Sequence, residues 1–324
     1  MLRRHALLSP LALPALLATG ARAQGTGYPS RAVSVLSGYA PGGVTDTASR
    51  AVSERLGREM GQNFIVENKV GAATAVASTA VAGARPDGYT LLMGTTTLAI
   101  NPALQPSLTP KDPLKELAPI GPVFTHAFVL HVHPDLPVRT AADLIAWCKA
   151  NPGRLNFGSS GTGAVNHLAQ ALFAQRAGIE VTHVPYRGGA PALLDLRTGR
   201  IQAMFQAVLE ALPTLREGAT RGLGVSTLTR DPTVPNLPPL AETLPGFEAV
   251  FWQGLFAPAA TPQPIVEQLS AALRATNADP ALVARMAEQG VILQRGTPAD
   301  LRGLLERETA MWGNLIHQAG IRPE

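Results

Sequence analysis

The chain has 324 residues, of which 46% are hydrophobic and 15% charged. This length predicts two domains, and this composition excludes a largely disordered chain. A single cysteine, Cys148, excludes an intrachain disulfide framework and a cysteine-built zinc site. The formal net charge is +4, and because no Lys/Arg cluster or aromatic-basic stripe stands out, nucleic acid is not an expected partner.

The first 23 residues predict a secretory signal peptide. Arg3 and Arg4 precede an apolar run over residues 6–18, and Ala21-Arg22-Ala23 forms a small-residue exit. The run contains two prolines and is too short to span hydrocarbon ~30 Å thick. We therefore expect a periplasmic protein exported by the Sec route, with Arg3-Arg4 leaving the twin-arginine route open. Without this segment, 24 Lys and Arg stand against 23 Asp and Glu, so the net charge falls to +1.

Strands and helices alternate along the rest of the chain. The predicted strands are 33–36, 64–66, 89–93, 128–130, 155–157, 181–185, 201–205, 223–226 and 250–257. The principal predicted helices are 45–60, 74–84, 141–150, 164–177, 264–275, 280–289 and 298–319. This alternation is typical of parallel βαβ units and predicts an α/β protein of two domains.

The first glycine-rich turn, Tyr39–Asp46, lies between a predicted strand and a predicted helix. Glycines there let backbone N–H groups point outward, and a helix start adds partial positive charge. Such a turn suits a carboxylate or a phosphate. Asp46 falls in the first helical turn with Arg50 four residues later, so a plain strand-to-helix turn with Asp46 as its capping residue is the alternative.

The second glycine-rich turn, Phe157–Ala164, also leaves a strand and opens a helix. Residues 158–163 hold three glycines and three hydroxyl side chains. The turn lacks the third glycine of a dinucleotide fingerprint, the Gly-Lys-Ser/Thr of a P-loop and the final glycine of a G-x-S-x-G elbow. Two anion-suited turns, one per domain, favour a ligand held in a cleft.

Other residues are weaker candidates. His131 and His133 share one strand face, which is more typical of a solvated strand edge than of a metal site, and we expect no metal. Arg187 either brings a positive charge to the cleft or lies on the surface, and Trp252 either lines the cleft or fills the core, with the core favoured. Ser160 with His167 would be the serine and histidine of a hydrolase, but no third orienting group is evident.

Several blocks together resemble the Bug-type receptors, which are the substrate-binding proteins of tripartite tricarboxylate transporters. The blocks lie in order along the whole chain after the predicted signal peptide. They are Ala40–Gly43 with Asp46 and Arg50, Gly88–Leu92 with Asn101-Pro102, Leu155–Gly163 with His167-Leu168, His183–Gly188 with Pro191-Ala192 and Asp195-Leu196, and Gly254–Pro258 with Thr261-Pro262.

The resemblance implies a type II periplasmic-binding-protein fold, with two Rossmann-like α/β lobes around a ligand cleft. Lobe 1 would contain residues 24–124 plus 250–324, and lobe 2 residues 125–249. The implied ligand-binding residues of lobe 1 are Tyr39, Gly42, Gly43, Thr45, Asp46, Thr95, Thr96 and Thr97. Those of lobe 2 are Ser159, Ser160, Gly161, Thr162, Gly163, His167, Tyr186 and Gln206.

The resemblance further implies a monomeric receptor without cofactor or catalytic residues, which binds a small organic acid and passes it to a membrane permease. A receptor that serves a sensor protein is the alternative, and a secreted hydrolase is a third class. One block departs from the family, since Asn68–Ala73 lacks the usual proline and last glycine, which leaves the shape of this loop open. The ligand could be a di- or tricarboxylate, an aromatic acid, an acidic amino acid or a small neutral amide.

Overall fold

A computed structural model describes residues 27–323 of the chain. The predicted signal peptide, residues 1–23, therefore lies outside the described residues. Within the described part, no helix combines the length and the apolar character that a membrane span requires.

Ten strands and eleven helices are present among the described residues. The strands are β1 Val33–Ser37, β2 Phe64–Asn68, β3 Thr90–Thr95, β4 Leu117–Val132, β5 Asn156–Ser159, β6 Thr182–Pro185, β7 Ala203–Ala207, β8 Arg221–Val225, β9 Val250–Pro258 and β10 Ile292–Leu293. The helices are α1 Val44–Met60, α2 Ala75–Ala82, α3 Thr97–Leu104, α4 Pro113–Glu116, α5 Ala141–Ala150, α6 Val165–Ala177, α7 Gly189–Arg197, α8 Val208–Arg216, α9 Gln263–Thr276, α10 Pro280–Ala287 and α11 Pro298–Ala319.

The strands form one curled sheet in the order β2-β1-β3-β9-β4-β7-β5-β6, with β8 and β10 paired to β4. The strand β1 is parallel to β2 and β3, and β5 is parallel to β6 and β7, as the alternation predicts. The prediction of parallel pairing is wrong for the middle of the sheet. There β9 runs antiparallel to β3 and β4, and β4 runs antiparallel to β7.

The antiparallel strands β4 and β9 carry the chain between the two parallel groups. Residues 117–127 of β4 pair with β9, and residues 128–132 pair with β7. The partner of β4 therefore changes between Ala127 and Phe128, and β9 begins at Val250. These positions lie next to the predicted lobe borders at 125 and 249, which stay a prediction.

Aromatic side chains fill the core on both sides of this crossing. Phe157, Phe205 and Phe247 stack in series beside β5 and β7. Trp252 of β9 is fully buried, as the core interpretation predicts, and its indole donates a hydrogen bond to Glu308 of α11. Helix α11 packs on α3 and β4 and also on α6, so it contacts a helix from each side of the crossing.

The interpretation of His131 as part of a solvated strand edge is wrong. Its strand β4 is central, paired with β7 and β8, and the ring is fully buried. Its Nδ1 atom lies 3.2 Å from the Thr220 hydroxyl, and burial lowers the pKa of the ring to about 3. Among the described residues, no group of three or more His, Cys, Asp or Glu side chains could hold a metal ion.

Candidate functional site

A cavity of about 390 Å³ lies where the carboxyl ends of β1, β3, β5 and β7 meet. This is the edge at which open α/β sheets bind ligands. Both glycine-rich turns contribute to the cavity wall. The lining residues are Tyr39, Gly43, Val44, Thr45, Thr97, His126, Phe128, Ser160, Gly163, Ala164, Val165, Asn166, Gly189, Gln206, Ala207, Val208, Leu209, Glu210, Phe251, Gln289 and Gly290.

The first turn presents the start of α1 to the cavity. Gly43 is the N-cap residue and has no side chain to accept hydrogen bonds from the first turn, so helix α1 has no side-chain cap. Val44 and Thr45 follow it on the cavity wall. The first N–H groups of a helix lack intrahelical partners and carry partial positive charge, so this wall suits an anion. Gly42, with φ +91°, shapes the turn but does not line the cavity.

Asp46 supports the first turn from behind and does not reach the cavity. Its carboxylate accepts hydrogen bonds from the Gly42 N–H at 3.1 Å, the Arg50 Nε at 2.9 Å and the Asn68 Nδ2 at 2.7 Å. Burial acts to raise the pKa of Asp46, but these hydrogen bonds outweigh burial and lower it. The negative charge of Asp46 is therefore held by Arg50, and the carboxylate positions Gly42 instead of capping α1 with its side chain.

The second turn is held by its own side chains. Buried Ser159 donates to the Gly161 carbonyl, and the Ser160 hydroxyl donates to Asn166 Oδ1 at 2.9 Å. Asn166 in turn donates to the Phe205 carbonyl on β7. Of residues 159–163, Ser160 and Gly163 line the cavity, whereas Ser159, Gly161 and Thr162 do not. Helix α6 then begins at Val165, with Ala164 as its N-cap residue and again without a side-chain cap.

His167 also acts from behind the second turn. Its Nδ1 atom accepts a hydrogen bond from the Gly163 N–H at 3.0 Å, and its ring stacks on His183 at 3.7 Å between centroids. Burial, with a smaller contribution from His183, lowers the pKa of His167 to about 3. The neutral ring is thus an acceptor that positions Gly163. The Ser160 hydroxyl donates to Asn166, whereas His167 accepts from Gly163. The serine and histidine that a hydrolase would use therefore have separate hydrogen-bond partners.

The three threonines after β3 have different surroundings. Thr97 lines the cavity, and its hydroxyl lies 2.6 Å from that of Thr74 and 2.9 Å from that of Thr95. Thr95 is buried and hydrogen-bonds with Tyr39. Thr96 is fully buried, and its hydroxyl accepts a hydrogen bond from the backbone N–H of Trp252. Only Thr97 therefore belongs to the polar wall that the resemblance implies for all three.

An aromatic wall forms another part of the cavity lining, and sequence reasoning missed most of it. His126 stacks on Phe251 with 4.7 Å between centroids, Phe128 meets His126 edge to face, and Tyr39 meets Phe251 edge to face. His126 and Phe251 are direct register partners on β4 and β9. Burial lowers the pKa of His126 to about 4, and its Nδ1 atom has no hydrogen-bond partner.

Gln206 lines the cavity together with Glu210, which sequence reasoning did not single out. Gln206 is 3% exposed, and its Nε2 atom donates to Glu210 Oε2. Burial raises the pKa of Glu210, partly offset by that hydrogen bond. Tyr186 and Arg187 do not line the cavity, although the Tyr186 N–H donates a hydrogen bond to the Ser159 carbonyl of the second turn. The Tyr186 hydroxyl donates to Asp195 at 2.8 Å, and Arg187 is exposed outside the cavity lining.

A family model described as "Tripartite tricarboxylate transporter family receptor" matches residues 48–321. The chain is 36% identical over 316 residues to the "UPF0065 protein in tcbD-tcbE intergenic region" of Pseudomonas sp. strain P51. The aligned region covers 97% of this chain and 94% of that protein.

Two solved structures are similar over most of their length. R. palustris Rpa4515, solved with adipate, is 33% identical, covers 92% of this chain and 100% of its own, and superposes with a TM-score of 0.77. MatC from Rhodopseudomonas palustris, solved with bound malate, is 32% identical, covers 89% of this chain and 100% of its own, and has a TM-score of 0.73.

These matches confirm the fold and the resemblance on which it was predicted. The α/β sheet with its central crossing is the two-lobe fold of periplasmic solute-binding proteins. The family consists of substrate-binding receptors. The chain belongs to the tripartite tricarboxylate transporter family of receptors, the Bug-type receptors of the sequence analysis.

Proposed function

We propose that this receptor works in the periplasm, where it binds a small carboxylate ligand between its two lobes and delivers it to a membrane permease. The observation that carries the proposal is the pair of helix starts, α1 and α6, which meet one cavity without side-chain caps. Helix starts without caps offer backbone N–H donors and partial positive charge to an anion. The carboxylates bound by Rpa4515 and MatC support the same chemistry.

Binding needs no covalent step in this mechanism. We assign residues 24–124 plus 250–324 to lobe 1, which provides α1, and residues 125–249 to lobe 2, which provides α6. A carboxylate that contacts both helix starts binds the closed arrangement better than the open one, so it stabilises closure by that difference in affinity. Each N–H donor to a charged acceptor contributes roughly 1.5–3 kcal/mol net, so several such donors suffice without an arginine.

The experiment is a thermal-shift screen of the chain against small carboxylates and their uncharged analogues. A ligand at 100 times its Kd adds about 2.7 kcal/mol of stability, which raises the Tm by a few degrees for a chain of this size. We expect carboxylates to raise the Tm. If only uncharged compounds raise it, the assignment of the helix starts to a carboxylate is wrong.

Gly43→Leu tests the position of the ligand at α1. A Cβ atom at residue 43 would meet no atom within 4 Å, and the backbone there is extended, with φ −77° and ψ 169°. A leucine at this cavity-lining position is therefore accommodated without strain and should abolish the ligand-induced rise in Tm. Gly27→Leu, also in open space, is the matched control and should bind like the wild type.

Delivery to a permease requires a separate test, because a receptor for a sensor protein would bind its ligand in the same way. Deleting the gene and measuring uptake of the identified ligand decides between the two roles. Loss of uptake supports delivery, whereas normal uptake with loss of a transcriptional response to the ligand supports sensing.

A further inference from the structure

The Gln206–Glu210 end of the cavity differs from the two helix starts that face the carboxylate. Strand β7 runs directly into α8, so Gln206 lies near the end of the strand and Glu210 lies in the first turn of the helix. Gln206 uses its Nε2 atom on Glu210, and its Oε1 atom is buried without a hydrogen-bond partner. A buried acceptor without a partner costs about 1–3 kcal/mol, which a donor on the ligand would recover.

The charges at this end are unbalanced. Among the described residues that line the cavity, Glu210 is the sole carboxylate, and none is lysine or arginine. Asp46 has the same place in the first turn of α1, but Arg50 pairs with it, whereas no described side chain forms an ion pair with Glu210. The remaining titratable rings, Tyr39 and His126, are neutral near pH 7, since burial raises the pKa of the first and lowers that of the second.

We propose that the ligand is a monocarboxylate whose other end carries N–H donors, as an amide or an ammonium group does, and that Gln206 and Glu210 select this end. The inference rests on the proposed function, which places the carboxylate at the starts of α1 and α6. The second end then donates to Gln206 Oε1 and to the Glu210 carboxylate. A second carboxylate in that place would face Glu210 with no cation to balance the two charges.

The rest of the cavity lining fits an apolar middle segment. Phe128 and Phe251 contribute aromatic faces, and Val44, Val208 and Leu209 contribute aliphatic ones. A chain of methylene groups or a small ring can lie against this surface. The two polar ends of the ligand are therefore recognised by hydrogen bonds and charge, and its middle segment is held by apolar contact.

The test measures Kd by calorimetry for two matched series that differ only at one end. The six-carbon series is hexanoate, adipate, adipic acid monoamide and 6-aminohexanoate, and the four-carbon series is butyrate, succinate, succinamate and 4-aminobutyrate. In at least one series we expect an acid with an amide or amine end to bind about tenfold or more tightly than the matching dicarboxylate. The amide and amine arms show whether a neutral or a cationic donor is preferred.

Glu210→Gln shows whether Glu210 makes the selection. The variant removes the negative charge, so the preference for the acid with an amide or amine end over the matching dicarboxylate should shrink about tenfold or more. Glu217→Gln makes the same charge change at the exposed C-terminal end of α8, where Glu217 pairs with Arg197, and should bind like the wild type. If Glu210→Gln does not fold, Glu210→Ala replaces it, with folding checked by circular dichroism.

Three results would overturn these statements at different levels. A dicarboxylate that binds the wild type as tightly as its amide and amine analogues overturns the inference and leaves the proposed function standing. Equal selectivity in Glu210→Gln and Glu217→Gln overturns the role of Glu210. If no carboxylate of either series binds and the screen of carboxylates is also negative, the proposed function fails and the inference fails with it.

Discussion

Glu308 is a carboxyl group held in the core by two indole rings. Its Oε2 atom accepts hydrogen bonds from the Trp252 indole at 2.6 Å and from the Trp312 indole at 3.1 Å. Burial raises the pKa of Glu308 from 4.5 to about 7, although both indole hydrogen bonds act to lower it. The group therefore ties strand β9 to helix α11 and stays protonated in the folded state at mildly acidic pH.

The raised pKa predicts that Glu308 destabilises the fold as the pH rises. Below pH 4.5 the carboxyl group is protonated in the folded and the unfolded chain, so the stability that the protonated group contributes to the fold is fully present. Between pH 4.5 and 7 the unfolded chain ionises first, and about 3 kcal/mol of stability is lost. Urea unfolding of wild type and Glu308→Gln at pH 5 and pH 8 measures this loss. We expect the free energy of unfolding of the wild type to fall relative to that of the variant between pH 5 and pH 8. If the difference between the two proteins is the same at both pH values, the raised pKa is contradicted.

The loop before α2 contains strained backbone. Ala72, Ala73 and Thr74 have positive φ values of 44°, 48° and 71°. The left-handed region costs a residue with a Cβ atom roughly 1–2 kcal/mol. Ala73 stands where the family usually has glycine, so the sequence departure and the strain fall on the same residue. The Ala73 carbonyl accepts a hydrogen bond from Asn101, which helps to hold the loop in this conformation.

Ala73→Gly should therefore raise the free energy of unfolding by about 1 kcal/mol, because glycine adopts positive φ without steric cost. Ala80→Gly is the matched control. It lies in the middle of α2, where the same substitution should cost up to about 1 kcal/mol. Chemical denaturation of both variants measures the two effects. A loss of stability in both would show that the strain at residue 73 is absent in solution.

The second turn shows how one element depends on another. Gly163 has φ +80°, and a Cβ atom added there would collide with Leu104 of α3. Gly178, at the other end of α6, has φ +61° with open space around it. Both glycines are needed for their backbone conformation, but only Gly163 lies on the cavity wall and against another helix.

Gly163→Ala should lose about 1 kcal/mol of stability from its φ value, together with a further loss from the collision with Leu104. Because the turn must move, ligand affinity should fall at least about tenfold. Gly178→Ala carries the same backbone cost without the collision and should bind normally. Calorimetry on both variants checks this, and equal affinities would mean that the turn can shift without moving the ligand.

At the scale of elements, the sequence pattern predicts the regular α/β units well and the long strand β4 poorly. Helices α5 and α11 were predicted at their observed bounds because their apolar periodicity and capping residues are clear. The first half of β4 was missed because Pro119 and Pro122 are atypical of a strand. The structure accommodates them where the register with β9 shifts.

The lining of the candidate cavity was predicted in part for a related reason. The two turns are local motifs, so their glycines and hydroxyls can be recognised in the sequence. The aromatic wall joins His126 and Phe251, which are distant in sequence and lie in apolar strands that are typical of a core. Only the pairing of β4 with β9 brings them together. Asn68 forms hydrogen bonds with Asp46, Arg50 and the Tyr39 carbonyl. Sequence reasoning noted it only as the first residue of the block that differs from the family pattern.

At the scale of the whole molecule, contacts join the two proposed lobes. Leu104 of α3 lies against Gly163, and Gln318 of α11 hydrogen-bonds with Gln175 of α6. On the cavity wall, a Cβ atom at Gly290 would lie 3.5 Å from the Leu209 Cβ atom. With the lobe borders proposed above, each of these contacts joins lobe 1 to lobe 2, so the ligand can leave when they separate.

A disulfide between residues 209 and 290 should therefore trap the ligand. The 3.5 Å spacing matches the Cβ–Cβ distance of ~3.5–4.5 Å in disulfides, and the φ of +64° at residue 290 adds a cost of roughly 1–2 kcal/mol. Leu209→Cys/Gly290→Cys, loaded with ligand and then oxidised, should release it at least about tenfold more slowly than when reduced. Stopped-flow displacement measures the two rates.

The controls for this experiment come from the chain itself. Cys148 is buried, so it does not compete for the new thiols, and each single cysteine variant should release ligand at the same rate with and without the oxidant. Equal release rates for the oxidised and reduced double variant would contradict lobe separation as the exit route. The ligand would then leave past the aromatic wall while residues 209 and 290 remain linked, and closure would not govern how long it stays bound.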